Sequence, residues 1–363
     1  MSATGKRIAV KRFGYVRTYD LTYNVYTWNQ IDPNVIYGST GPMVLSGSGE
    51  YLAVAPSNRV QLYKYVKYRW TSRWTSQTWN VDNLGQAYTD NGQDILFEKR
   101  VESLAISYGG DYLAVGGSGL VRVYQVLGQE LKRVGEDIPR EYDNYSGTTK
   151  LSISDDGLRL VVGSPEAYDR AGSARVFEFA NGQWSEIARY KGSVKNDRAG
   201  ASVAISGNGK TVVVGAPDGL TDPNRISSST RQGYVSVYDL GPDAGLQRYE
   251  RFVGQEIGER SGSVVSVSTD GTIMAEGSQA GDVRVYEWSG EAWKRIVDYK
   301  ESSYVPVNSI SLSGDGTSIA IASNKASTYQ IKDIKKGGGG GDPHFLLWNN
   351  ERATFHGECD LVL

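Results

Sequence analysis

Histidine and cysteine are almost missing from this chain of 363 residues, and the few present sit at one end. Both histidines, His344 and His356, and the single cysteine, Cys359, fall in the last 20 residues. Residues 1–343 therefore cannot form a Ser-His-Asp or Cys-His nucleophilic site, nor a His/Cys zinc site. No cofactor and no metal are expected. No apolar run approaches the roughly 18–20 residues of a membrane-spanning helix, so no transmembrane segment is expected. The opening stretch, residues 1–10, lacks the apolar run of a signal peptide. A formal charge of −2 removes the broad basic footprint of nucleic-acid binding, so no nucleic-acid partner is expected.

Glycine (44) and tyrosine (24) are abundant, which favours many short strands with tight turns. One pattern recurs: a strand, a glycine turn, a β-branched strand, then an alternating strand ending near an aromatic. The clearest copies are Leu151-Ser-Ile-Ser-Asp-Asp-Gly157-Leu-Arg-Leu-Val-Val-Gly163 and Val203-Ala-Ile-Ser-Gly-Asn-Gly209-Lys-Thr-Val-Val-Val-Gly215. Further turn glycines are Gly49, Gly110, Gly271 and Gly316, with Gly5 in a clipped first copy. Asp-Gly and Asn-Gly suit the positive φ of two-residue hairpins.

The third strand of each copy ends on Tyr19, Tyr63, Tyr124, Phe177, Tyr238, Tyr286 or Tyr329, a return every 43 to 61 residues. A fourth strand opens on an apolar anchor at Trp28, Leu131, Trp184, Leu246 or Trp293. Four strands alone make a marginal sheet, but stacked around an axis they bury a continuous core. The expected fold is all-β: a propeller of about seven four-stranded blades over residues 1–332, the aromatic stripe filling the space between blades. The first copy starts at its second strand, Lys6–Val10, and the seventh, Ser309–Ile331, supplies three. The terminal blade is therefore expected to be incomplete, through loss of residues before Met1 and of a signal peptide with them.

Residues 196–217, with Ala199-Gly200 before one strand and Gly215-Ala-Pro217 after the next, resemble the FG-GAP repeats of integrin-α-like propellers. The Phe of that motif is missing throughout; Ser146-Gly147 and Ser261-Gly262 are further counterparts, and Gly163-Ser-Pro165 is a variant of the second half. The family's Asp-x-Asp-x-Asp-Gly loops are absent, so calcium is not carried over. The Gly-His…Trp-Asp signature of WD40 repeats is absent, and Ser313-Gly-Asp-Gly-Thr317 is one residue short of a sialidase-type box.

Residues 333–341 form a Lys/Gly-rich tether that cannot pack. Residues 342–363 change character. Gly341-Asp-Pro-His344 followed by Phe355-His-Gly-Glu-Cys359 resembles the start of a von Willebrand factor type D domain, as in secreted proteins of diatoms and related algae. The resemblance implies a partial C-terminal β-domain in which Cys359 pairs with a cysteine that this chain does not contain, and hence an oxidising destination.

In some members of that family the Asp-Pro bond is cut autocatalytically. Asp342 would attack its own carbonyl carbon, Pro343 would leave as the amine, and His344 would donate the proton. The alternative is an uncut strand start, the expected state for a chain lacking the folded remainder. Incubation at mildly acidic pH with N-terminal sequencing decides: an intact chain is expected, and a new N-terminus at Pro343 would establish cleavage.

Candidate binding residues are Tyr65, Tyr68, Trp70, Arg73 and Trp74, where cations interleave with aromatics that stack on sugars or bases. Cross-strand pairing gives the same composition with no ligand. The polar excursion 218–232 is either a partner contact or a surface insertion. Asn144-Tyr-Ser146 is a glycosylation sequon if the chain is secreted. The leading expectation is a secreted or cell-surface, non-enzymatic adhesion scaffold for an extracellular protein or polysaccharide. An intracellular interaction platform and a carboxylate-dependent glycoside hydrolase are the alternatives.

Overall fold

The computed structural model of the chain describes residues 1–334 except 13–14, 23–26, 32–35, 38–40, 56–59, 68–71, 78–100, 118, 128–129, 140, 142–147, 220–230, 242–244 and 301–304. The tether beyond residue 334 and the segment 342–363 lie outside the described residues.

The local unit is a turn that closes on a serine. In blade 4 the Gly157 N–H donates to the Ser154 carbonyl (3.0 Å), and the Ser154 N–H donates to the Arg159 carbonyl (2.9 Å). The Ser154 hydroxyl accepts the Arg159 N–H (3.0 Å) and donates to Asp156 Oδ1 (2.5 Å). Gly157 has φ +74°, a conformation that costs a residue with Cβ about 1–2 kcal/mol.

This geometry recurs seven times, at Ser2, Ser46, Ser107, Ser154, Ser206, Ser268 and Ser313, each buried and each three residues before a positive-φ glycine. All seven hydroxyls accept the N–H five residues on, at 2.9–3.1 Å. The connection is longer than the two-residue hairpin that Asp-Gly and Asn-Gly suggest. Only its glycine takes positive φ, as four-residue loops built on an ordinary turn require.

In blades 2 to 7 each turn joins the first two strands, in blade 1 it leads into the second, and seven such sheets form the propeller. Blade 2 comprises Met43–Leu45, Tyr51–Val54, Gln61–Lys67 and Ser72–Gln77; blade 4 comprises Lys150–Ile153, Arg159–Ser164, Ser173–Ala180 and Gln183–Lys191. Blade 5 comprises Ser202–Ile205, Thr211–Ala216, Tyr234–Leu240 and Leu246–Val253; blade 6 comprises Val264–Val267, Ile273–Gly277, Asp282–Trp288 and Trp293–Lys300. Blade 3 (Val101–Ile106, Tyr112–Gly117, Leu120–Leu127, Glu130–Arg133) carries the extra pair Ile138–Pro139. Among the described residues two blades are short. Blade 1 (Arg7–Arg12, Tyr15–Thr22, Thr27–Gln30, with Ile36–Tyr37) has no inner strand, and blade 7 (Ser309–Leu312, Ser318–Ala322, Ala326–Gln330) has no outer one.

The second strands read as unbroken apolar runs because both sheet faces are covered. In blade 4, Leu160 and Val162 pack on blade 3 while Val161 packs on blade 5. Each such side chain stabilises the fold by about 1.5–3 kcal/mol. The aromatic ending the third strand belongs to the same core: Tyr124, Phe177, Tyr238 and Tyr286 are all buried. Fourth-strand tryptophans reach back to the preceding blade. Trp184 Nε1 donates to the Val134 carbonyl (3.0 Å), and Trp28 Nε1 donates to Thr328 Oγ1 of blade 7 (3.1 Å).

That last bond lies at the closure, where Met1 and Ile8 pack with Ala320 and Ala322. Backbone bonds between turn tips complete a circle. The N–H of Ala3 donates to Gly47, Ser48 to Tyr108, Tyr108 to Asp155 and Asp155 to Gly207. Asn208 then donates to Thr269, Thr269 to Gly314 and Gly314 back to Ala3, all seven at 2.7–3.2 Å. The ring therefore closes with seven blades even though blades 1 and 7 each have a shortened sheet.

Ser206→Ala should strand the buried Thr211 N–H and lower stability by about 1–3 kcal/mol. Equilibrium urea unfolding measures it; an unchanged midpoint would mean the hydroxyl is not what locks the turn.

Candidate functional site

The antiparallel order of each blade separates two kinds of connection. The serine turns and the third-to-fourth strand hairpins lie at one end of the sheets. The second-to-third strand loops and the links between blades lie at the other. At this second end, across blades 4 to 6, the charged residues converge.

The construction repeats in consecutive blades. Pro165-Glu166 ends the second strand of blade 4 and Pro217-Asp218 ends that of blade 5. Arg170 and Arg231 stand two residues before Gly172 and Gly233, which open the third strands. Arg198 and Arg260 lie on the links to the next blade, both with positive φ (54° and 56°). Parallel bridges Gly172–Ala199 and Gly233–Ser261 clamp each loop to its link. The glycines of the degenerate x-Gly and Gly-x-Pro motifs meet at the same junctions. A Cβ on Gly163 would strike the Gly200 carbonyl, and one on Gly215 would strike that of Gly262.

The result is a ladder of ion pairs. Glu166 binds Arg170 (2.8 Å) and Arg198 (2.7 Å). Asp218 faces Arg231 (2.7 Å), Arg260 (3.3 Å) and the shared Arg198 (3.9 Å). The Asp218 side chain is only 6 % exposed, whereas the arginine side chains are 21–55 % exposed. Four arginines thus meet two carboxylates. Lys150, first residue of blade 4's inner strand, is exposed to solvent. Surrounding protein nevertheless lowers its amine pKa by desolvation; Glu102 opposes that shift and Arg198 adds to it.

Beside the ladder, the buried Tyr234 hydroxyl shares a hydrogen bond with Tyr190 (3.0 Å) and donates to Asp197 Oδ2 (3.0 Å). The Arg251 guanidinium lies over the Tyr234 ring at 4.1 Å. Burial, with Tyr190 and Asp197 alongside, pushes the Tyr234 hydroxyl well above its usual range, so it stays protonated.

A second charged group is enclosed between blades 5 and 6. Arg284 contacts both Glu259 and Glu276 (3.3 Å to the latter), all three side chains being at most 3 % exposed. Glu276 accepts hydrogen bonds from the Ser261 hydroxyl and the Gly262 N–H (3.0 Å). Burial raises the Glu276 carboxyl pKa, against the pull of Arg284 and with the push of Glu259. In blade 4 the matching register position is Val162, opposite Arg175 as Glu276 is opposite Arg284.

Of the residues singled out in the sequence, Tyr65 lies on the third strand of blade 2, with Arg7 over its ring at 3.6 Å. Trp74 and Arg73 pair with Tyr65 and Val66 across the hairpin. Tyr68, Trp70, Asn144, Asp342, Pro343, His344 and Cys359 lie outside the described residues. Asp218, Arg231 and Gln232 flank the polar excursion, whose interior lies outside them too. The ladder was not anticipated from sequence, although the repeated Arg-x-Gly was available as a signal. No known protein family matches the chain, and no curated protein is similar to it in sequence.

Glu276 gives a pH test. Below its ordinary pKa of 4.5 the carboxyl is protonated both folded and unfolded. Above it the unfolded chain ionises first, so this group's contribution to stability falls with rising pH. The stability of Glu276→Gln minus that of the native chain should therefore grow from pH 4 to 7, by up to about 1.4 kcal/mol per unit while only the unfolded form ionises. Arg284→Met should cost about 3–5 kcal/mol by leaving two buried carboxylates together. Urea unfolding across pH reads both; a pH-independent difference for the first would contradict the argument.

Proposed function

We propose that this propeller is a non-enzymatic binding scaffold, secreted or displayed at a cell surface, that holds an extracellular glycan or matrix protein. The observation that carries this reading is the contrast between the two ends of the blades. One end is locked by short turns whose polar groups are consumed internally. The other presents long polar connections with partly exposed arginines on a rigid frame, the arrangement by which loops commonly bind.

The resemblance of residues 196–217 to FG-GAP repeats supports an extracellular ligand. The resemblance of residues 341–359 to the opening of a von Willebrand factor type D domain supports secretion and adhesion. Buried carboxylates engaged by Arg284, Ser261 and Gly262 serve cohesion between blades, which favours binding over hydrolysis.

The full chain, applied to a glycan array and to immobilised matrix proteins and also incubated with chromogenic glycosides, tests this. Retention on at least one ligand without glycoside turnover is expected. Turnover abolished by a single carboxylate substitution would replace the scaffold with the hydrolase.

A further inference from the structure

The ion-pair ladder is out of electrical balance. Arg170, Arg198, Arg231 and Arg260 face only Glu166 and Asp218. Nearby, Asp169 is met by Lys195 (3.7 Å), and Lys300 lies between Glu256 (3.9 Å) and Asp282 (3.3 Å). Arg284 is shared by Glu259 and Glu276. Asp197 and Arg251 share the Tyr234 hydroxyl and ring, and Glu102 answers Lys150. Within the ladder itself four guanidiniums face two carboxylates, on a chain whose formal charge is −2.

The excess is held in place. Asp218 is buried and draws three guanidiniums within 4 Å of one carboxylate, so their side chains converge. The loops carrying them are clamped by the two parallel bridges and by backbone bonds Arg198 to Arg170 (2.9 Å) and Gly258 to Arg231 (2.9 Å). Each guanidinium presents five N–H donors, and one carboxylate with about four lone-pair sites cannot satisfy all those of three guanidiniums. Arg198 Nη2 is taken by Glu166 (2.7 Å) and Arg260 Nη1 by Gln279 (2.6 Å), while the Arg170, Arg231 and Arg260 side chains stay 21–55 % exposed. Planar forks suit carboxylate and sulfate oxygens.

We infer that this ladder is an anion-binding site that captures carboxylate or sulfate groups of an acidic polysaccharide, the carboxylate of Asp218 acting as the internal organiser of the three arginines rather than as a ligand contact. The choice of polysaccharide rests on the scaffold reading above. The unbalanced charge is spread over four successive connections, as a chain carrying repeated charges requires. The ring face of Tyr234 is already taken by Arg251, so charge rather than stacking drives capture.

Affinity of the full chain for immobilised alginate, heparin and neutral dextran, at 50 and 300 mM NaCl, tests the site. Alginate reports carboxylate and heparin sulfate. Binding to one or both, weakening with salt, is expected, with Arg231→Gln/Arg260→Gln losing at least about tenfold. Arg231→Lys/Arg260→Lys should retain part of the binding, and Lys294→Gln/Arg295→Gln, an equal charge loss on the outer strand of blade 6, should retain all of it. Thermal melting confirms that each variant is folded; if the Gln pair is not, the partial loss in the Lys pair decides. Polyanion binding equal in all variants overturns the site. Binding confined to dextran overturns it while sparing the scaffold, and no binding to these or to any glycan or matrix protein in the array overturns both.

Discussion

Everything in this molecule depends on closing a circle. A propeller blade has two apolar faces and no stability alone, so every blade must find a neighbour on each side. Seven hydrogen bonds between turn tips, from Ala3 round to Gly314 and back to Ala3, record that closure in the backbone. They are possible because each tip has the same shape, set by a buried serine that fixes both strands of its hairpin. Gly47, Gly207 and Gly314 occupy tips where a side chain would meet the neighbouring blade. Glycine at these three tips lets the neighbour approach, while Tyr108, Asp155 and Thr269 hold the same position in blades 3, 4 and 6.

Closure also explains how the ring tolerates two incomplete sheets. Among the described residues blade 1 has no inner strand, yet Met1 fills the core position that precedes the turn serine in other blades, as Ile153 does before Ser154 and Ile205 before Ser206. Blade 7 has no outer strand among them, yet Trp28 of blade 1 bonds to Thr328 on its third strand. Most interfaces are centred on the inner strands, each packed on the inner and second strands of the preceding blade. At the closure Met1 and Ile8 take that place against Ala320 and Ala322.

Repeat number, turn glycines and third-strand aromatics were legible because each is a local requirement with its own residue type. Serine three residues before each of the seven glycines was equally visible and carries more of the geometry. Fourth-strand register was not legible. In blades 4, 5 and 6 a single-residue bulge falls opposite the same step, between Val176/Phe177, Val237/Tyr238 and Val285/Tyr286. In blades 1 and 3 the outer strand is interrupted at that step, Thr27–Gln30 resuming as Ile36–Tyr37 and Glu130–Arg133 as Ile138–Pro139. A bulge and an insertion relieve the same twist in different lengths of chain, so no spacing rule finds both.

The ladder was hidden for a related reason. Its members come from two loops and the two links that follow them, and they meet only because blades stack in order. Glu166 and Asp218 are successive answers to one structural demand, a carboxylate after the proline that ends the second strand, and each collects the arginine before its own third strand. Arg198 belongs to both, which couples blade 4 to blade 5 through charge as well as through the core. A purely cohesive device can bury its charges, as Arg284 is buried between Glu259 and Glu276. The ladder instead leaves guanidinium in excess where water can reach it, at the end of the blades that carries the longest polar connections. Interior charge on this propeller is spent on holding blades together, and the surplus at this end remains available to an anion from outside.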